Sequence, residues 1–396
     1  MLCRRRAEMP YTHVQGARRR RATGVCLLSA VALLAGCSST SEKSAKPAVL
    51  VPITAPIDVR RVWEVDVGNS ANTFLQPSVQ ENAIYAASRG GNLVRIDPTS
   101  GKEVWRISVE DGISAGVGSD GSTVAVAGPR GNVLAFDAAG KKLWQAQASS
   151  DVLAPPLVGH GLVLIRATDQ HIIAYAADSG KRRWVFQKQQ PSLALRMEAN
   201  LVFAGDSALV GFPGGRLGAI ALANGAARWE AGVSEPKGAT EVERLADVLG
   251  APSLIENDVC AASYQGRIAC FDARNGDLRW AREFSAGAGT AAAADTVIGV
   301  DANSHLNGFM RSSGASKWQN GILANRGLSA PVVLGKYFLT GDFEGVIHVG
   351  NVADGQIVGR FDASGGPVIS TPQSWNGAAV LQTARGRVLL LSPAGR

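Results

Sequence analysis

Cysteine is scarce in this chain: five residues in 396, at positions 3, 26, 37, 260 and 270. That excludes a small disulfide-stapled scaffold. Charge is also thin, 18% of residues against 46% hydrophobic, a balance too apolar for intrinsic disorder. After the N-terminal region no run of 18 uninterrupted apolar residues occurs, and the alanines at 291–294 are broken by Asp295. No later segment therefore reads as a spanning helix. A nucleophile elbow and a phosphate-binding loop are both missing. The formal net charge of +7 is misleading, because residues 1–36 hold seven arginines and one acid, Glu8. The remainder has 33 basic and 32 acidic residues. A nucleic-acid footprint needs a basic body, so no nucleic-acid partner is expected.

The N-terminus is built for export. Arg18–Arg21 precede a short apolar run that ends in Leu34-Ala35-Gly36-Cys37. A cationic patch followed by a run too short to span a bilayer is a secretory signal. The final four residues resemble the bacterial lipobox, whose cysteine accepts a lipid. Residues 1–36 are thus expected as a lipoprotein signal peptide and Cys37 as the lipidation site. Ser38, where an aspartate would signal inner-membrane retention, favours the outer membrane. The lead-in before Arg18 is long, and Met9 is an alternative start. Residues 37–56, small, polar and proline-rich, are expected as a lipidated flexible tether.

Residues 57–396 repeat a unit: glycine, an apolar strand, a turn ending in glycine, then tryptophan. It is seen in Gly91-Asn-Leu-Val-Arg-Ile-Asp97 with Gly101-Lys-Glu-Val-Trp105, and again around Trp144, Trp184, Trp229, Trp280 and Trp318. A seventh copy has Gly359 where tryptophan is expected, and an eighth starts at Gly386 and runs out of chain. Arg61-Val-Trp63-Glu-Val65 supplies the missing closing half. Successive tryptophans lie 38 to 51 residues apart, the period of propeller blades. Four short strands per unit, as at residues 83–87 and 123–127, between glycine-rich turns indicate an all-β, eight-bladed β-propeller of four-stranded antiparallel blades. Closure by the N-terminal strand removes an open seam. Trp375 lies outside the register.

Other motifs fail on context. Gly116-Val-Gly-Ser-Asp-Gly121 fits a dinucleotide fingerprint but leads into a strand, not a helix. His160, His171, His305 and His348 lack ligand spacing and read as structural or surface residues. Asp97, Asp137 and Asp272 share one repeat phase before turns, which is turn capping. No catalytic residue, metal site or cofactor is expected. Cys260 and Cys270 flank the turn at Gln265-Gly266. A two-residue loop points the thiols to opposite faces, and a three-residue loop sets them face to face. Free, buried thiols are the expectation, with a disulfide left open.

The two longest Trp-to-Trp intervals are adjacent, 184 to 229 and 229 to 280. Their extra residues form loops on one face of neighbouring blades. The first contains Pro191-Ser-Leu193-Ala-Leu195-Arg196. The second runs from Gly238 to Leu249 with Thr240 and Glu243 at capping-box spacing. Exposed leucine beside arginine and acid suits a protein-binding patch. The alternative is that these leucines pack the insertions down.

The Trp repeat resembles the docking motif of quinoprotein-type propellers. Lipobox, tether, repeats, the Pro-Ser-Leu-x-Leu-Arg loop and the Thr-Glu-x-x-Arg-Leu-x-Asp-Val loop together resemble the BamB family, lipoproteins of the outer-membrane β-barrel assembly machinery. The resemblance covers essentially the whole mature chain. It implies a non-enzymatic scaffold at the periplasmic face of the outer membrane that aids folding and insertion of outer-membrane proteins. It also implies docking onto the POTRA domains of BamA through Leu193, Leu195, Arg196 and Asp247, alongside other subunits of that machinery and unfolded outer-membrane proteins. Leu249 stands where the family often has a second acid. The alternative function is a periplasmic quinoprotein-like dehydrogenase, which would need a cofactor in the central funnel.

Overall fold

A computed structural model of the chain describes residues 45–393 apart from 55, 190–192, 196–199 and 369. The signal peptide, Cys37 and Arg196 lie outside the described residues. The described residues form thirty-two strands in eight antiparallel sheets of four. Blades 1 to 7 are consecutive in the chain: 78–108, 118–147, 157–187, 202–232, 253–284, 291–320 and 332–362. Blade 8 takes three strands from 373–393 and its fourth from Val59–Asp66. That closing strand pairs antiparallel with Arg387–Pro393, Trp63 opposite Leu390.

The strands differ by position within a blade. Second strands such as Ala83–Ala87 and Thr123–Ala127 are buried along their whole length. A neighbouring blade covers each of their faces, so small and branched apolar residues fill them. Fourth strands such as Lys142–Gln147 keep the tryptophan inside and leave most other positions in water. The apolar core is accordingly a ring of eight layers, each shared by two adjacent blades. One layer joins Leu164 and Trp184 of blade 3 to Phe212 and Ile220 of blade 4.

Tryptophan locks these layers. Each indole Nε1–H donates to a carbonyl in the next blade: Trp63 to Pro98, Trp105 to Ala138, Trp144 to Ala177, Trp184 to Leu222, Trp229 to Ala273, Trp280 to Arg311 and Trp318 to Val352, at 2.6–3.1 Å. The ring lies on the glycine of that blade's last turn. At Gly225, φ is +74° and a Cβ would sit 2.6 Å from Trp184 Cε3, so only glycine serves both the turn and the stacking.

The eighth joint is made differently. The third and fourth strands of blade 8 come from opposite ends of the chain, so no turn links them and a ring on blade 7 would have nothing to rest on. Gly359 stands in that position, and a Cβ there would meet Val59 Cγ2 at 2.8 Å and Ile57 Cγ1 at 3.1 Å. Ile57 N–H donates to the Val358 carbonyl at 2.8 Å. The segment before Ile57 is docked as well. Ala48 N–H donates to Ala324 O at 2.8 Å, Arg326 Nη1 donates to Ala48 O at 3.0 Å, and Arg360 donates to Val51 O. Leu50 packs into the layer between blades 6 and 7. The stretch expected as tether through Pro56 thus lies against the propeller from Lys46 onward.

The expectation of free thiols is corrected. Cys260 and Cys270 form a disulfide across the second and third strands of blade 5. They are directly paired in register. Ser263 N–H donates to Arg267 O at 2.9 Å, which leaves Tyr264, Gln265 and Gly266 as a three-residue turn, with Gln265 at φ +48°. That extra turn residue puts the two side chains on one face. The aspartates do cap turns: Asp97 Oδ1 accepts Ser100 N–H and Asp137 Oδ1 accepts Ala139 N–H.

Candidate partner-binding face

In an antiparallel four-stranded blade, the second-to-third turn and the link to the next blade emerge on the same face. The two long links, 188–201 and 233–252, therefore open on one face, over blades 3 to 5. In the second link Glu243 N–H donates to Thr240 Oγ1 at 3.2 Å and Thr240 N–H donates to Glu243 Oε2 at 3.0 Å. This reciprocal capping box closes a single turn, whose Val242 is 61% exposed.

Of the four residues singled out, Leu193 is exposed and Leu195 is half-buried. Leu195 packs on the layer between blades 5 and 6, with Leu249 and the two cysteines. Leu249 is itself buried and cannot offer a surface contact. Asp247 lies beneath the face, not on it: it is 6% exposed. Its Oδ2 accepts Leu195 N–H at 2.6 Å and its Oδ1 accepts Gly214 N–H at 3.1 Å. Its backbone carbonyl accepts Tyr264 N–H at 2.9 Å. A buried carboxylate fits here because backbone donors satisfy both oxygens. The structure thus joins Leu195 to Asp247 directly and leaves Leu193 outward.

Arg166, unmarked in the sequence reading, stands in the same place. It ends the second strand of blade 3, Leu162–Arg166, is buried, and donates from Nη2 to Gln170 Oε1 at 3.0 Å. Burial pulls its guanidinium down to about 10, offset by the charge of Asp247. Its sequence signal was a charged end to the apolar run Leu-Val-Leu-Ile, where the equivalent strands of blades 1 and 2 end in Ala87 and Ala127. Arg166, Asp247, Leu195, Asp151 and Leu153 line a cavity of about 360 Å³ between the links. Apolar side chains also reach water on this face at Ile322 and Phe343. Among the described residues no group of three or more His, Cys, Asp or Glu is placed to hold a metal ion.

An eight-bladed, tryptophan-locked propeller with two enlarged links on one face defines a binding scaffold of the quinoprotein-like class. A family model described as outer membrane protein assembly factor BamB matches residues 57–114 and 89–320. Outer membrane protein assembly factor BamB of Bordetella pertussis is 39% identical over 371 residues, covering 93% of this chain and 96% of that one. The crystal structure of BamB from Moraxella catarrhalis superposes with a TM-score of 0.77 at 29% identity, over 85% of this chain and all of that one. The chain belongs to the BamB family of outer membrane protein assembly factors, and its role is that of a non-enzymatic assembly scaffold. The quinohemoprotein alcohol dehydrogenase of Comamonas testosteroni superposes at 0.65 with 13% identity, over 86% of this chain and 77% of that one, which is a likeness of fold alone.

Proposed function

We propose that the chain is anchored by lipid at Cys37 to the periplasmic face of the outer membrane. From there it docks the face formed by links 188–201 and 233–252 onto the POTRA domains of BamA, and so assists folding and insertion of outer-membrane proteins. The observation that carries this reading is the convergence of both links on Asp247, with Leu193 left exposed beside them. Apolar side chains on a held backbone lose little freedom when a partner covers them. Leu193 and Leu195 form the apolar part of the contact and Arg196 its charged part. Asp247 contributes by holding the backbone.

Leu193→Asp and Arg196→Glu test the face. Each is expected to weaken binding to isolated POTRA domains by about tenfold or more at unchanged melting temperature. Wild-type affinity in both variants would remove this face from the interface. The anchor is tested by fractionation. Cys37→Ala should move the protein from the membrane pellet to the soluble periplasmic fraction, and unchanged sedimentation would refute the lipid.

A further inference from the structure

We infer that the outer rim of blades 2 and 3 is a second binding surface, built for an acidic segment of a partner protein. It is separate from the face of the two long links, because the turns between third and fourth strands emerge on the opposite face.

The turn and outer strand of blade 2 present Lys141 and Lys142, and those of blade 3 present Lys181, Arg182 and Arg183, all exposed. Among the described residues no ion pair joins any of the five to an acid, and Lys142 reaches only Gln145 Oε1, at 2.7 Å. Two acids stand in the same stretches. Asp137 Oδ1 is occupied by the N–H groups of Ala139 and Lys141, both at 2.9 Å, which leaves Asp178. Leu143 and Val185, each 41% exposed, are set among the cations. The two stretches form one surface. Trp144 Nε1–H donates to Ala177 O at 2.8 Å, the Tyr175 hydroxyl donates to Gln147 O at 2.9 Å, and a Cβ on Gly180 would sit 2.6 Å from Trp144 Cδ2.

In other blades the same position braces its own blade. The cation before the tryptophan pairs with an acid at or just before the start of that blade's second strand: Arg228 with Asp206 in blade 4, Arg279 with Asp258 at 3.6 Å in blade 5, and Lys317 with Asp295 at 2.8 Å in blade 6. In blade 3 the cation is Arg183, and His160 and Gly161 precede the second strand, so the brace has no acid. Free charge on an outer strand also guards an edge against stray pairing. That need is common to every blade, yet blades 4 to 6 neutralise these cations. Unpaired arginine and lysine with apolar side chains between them complement an acidic chain that carries apolar residues of its own.

An anionic membrane would meet the same charge, but the chain's own path argues against it. Residues 46–51 join the propeller at blades 6 and 7, with Ala48 on Ala324 and Arg326, four blades round the ring from blades 2 and 3. Lys46 follows Cys37 by nine positions. That is about 30 Å at full extension, against about 50 Å across a folded body of this length. A membrane that holds Cys37 thus stays on the side of blades 6 and 7. The choice of a protein over a lipid partner rests on the anchor at Cys37; the surface itself does not.

The test titrates the full chain with a fluorescent peptide of glutamates interspersed with leucines, read by anisotropy. Combining Lys142→Gln, Lys181→Gln and Arg183→Gln should weaken binding about tenfold or more and flatten its salt dependence. Combining Arg228→Gln, Arg279→Gln and Lys317→Gln removes the same charge from the paired positions and should change affinity by less than about twofold. Leu143→Ser with Val185→Ser should weaken binding about threefold or more at unchanged salt dependence. The first triple variant should melt with the wild type, because its cations brace nothing. Equal losses in the two triple variants, or a wild-type chain that ignores the peptide, would overturn the inference. Binding to phosphatidylglycerol vesicles that the first triple variant loses, without binding of the peptide, would assign the surface to the membrane and overturn the acidic partner. Cys37→Ala fractionation reads the anchor separately.

Discussion

Seven joints of the propeller are sealed by a tryptophan resting on a glycine turn, and the eighth by the chain's own N-terminal segment. The contrast shows what the tryptophan is for. It needs a receiving turn between the third and fourth strands of the next blade, and blade 8 has none because its last two strands come from opposite ends of the chain. Ile57 and Val59 lie over Gly359 instead. Around them, Arg326 and Arg360 hold the carbonyls of Ala48 and Val51. Arg326 in turn donates from Nε to Asp342 at 2.7 Å, and His348 Nε2 lies 3.0 Å from the same oxygen, with both partners fully buried. Seven joints are thus sealed by a stacked indole that also donates a hydrogen bond across the joint, and the eighth is a segment held by a buried charge network.

Deleting residues 57–66 should have the largest effect. It removes Trp63, the fourth strand of blade 8 and the cover of Gly359 together, and we expect loss of cooperative thermal unfolding. Deleting residues 46–51 removes only the outer hold on that segment and should cost about 1–3 kcal/mol, the range for a few exchanged hydrogen bonds. Equal melting temperatures for the two deletions would refute closure by the N-terminal strand.

Next comes a single joint. Trp184→Ala should cost about 3–5 kcal/mol by denaturant titration, the range for truncating a buried aromatic side chain. Gly359→Trp sharpens the comparison. A ring placed where no turn receives it collides with Ile57 and Val59 and should destabilise by about 1–3 kcal/mol. A stabilised Gly359→Trp chain would show that the eighth joint can accept the device of the other seven.

The smallest effect is pH dependence, and at the eighth joint it is read at His348. Burial is the main cause that lowers His348 below its ordinary value of 6.5, against the pull of Asp342. The folded state therefore binds a proton on His348 less readily than the unfolded chain does. The stability this group contributes is whole above about pH 6.5 and is lost as pH falls from there toward the depressed folded value. Asp342 is also held below 3.8, so its own contribution survives until more acidic pH. His348→Gln should flatten the fall in melting temperature between pH 7 and 5. An identical slope in wild type and variant would remove His348 from the pH response.

Periodic features were legible in the sequence for a physical reason. A blade buries both faces of its inner strands and exposes its outer one, so the same turn glycine, apolar run and tryptophan must return in every copy. Gly359 was visible as an exception, but its cause was not, since Ile57 and Val59 are some 300 residues away in sequence. The cysteine pairing failed for a local reason: one residue of turn length decides whether two side chains share a face. On the face of the two long links, the links themselves were legible as length outliers; of the leucines expected there, Leu193 is exposed while Leu195 and Leu249 pack down. Asp247 was named as a contact only through the family resemblance, and nothing in its neighbours announces that it accepts two backbone hydrogen bonds.

The sequence by itself determined the number of blades, the strand order and the closing strand, since each follows from residue types recurring at fixed spacing, while its two loop motifs and lipobox carried the resemblance to the family. Only the tertiary structure decided the disulfide, the docking of residues 46–51, the burial of Asp247 and Leu249, and the place of Arg166 between the two links. Those depend on which blades stand next to one another and at what distance. A buried charge is tolerated only where partners from other parts of the chain meet it, and such meetings leave no period in the sequence.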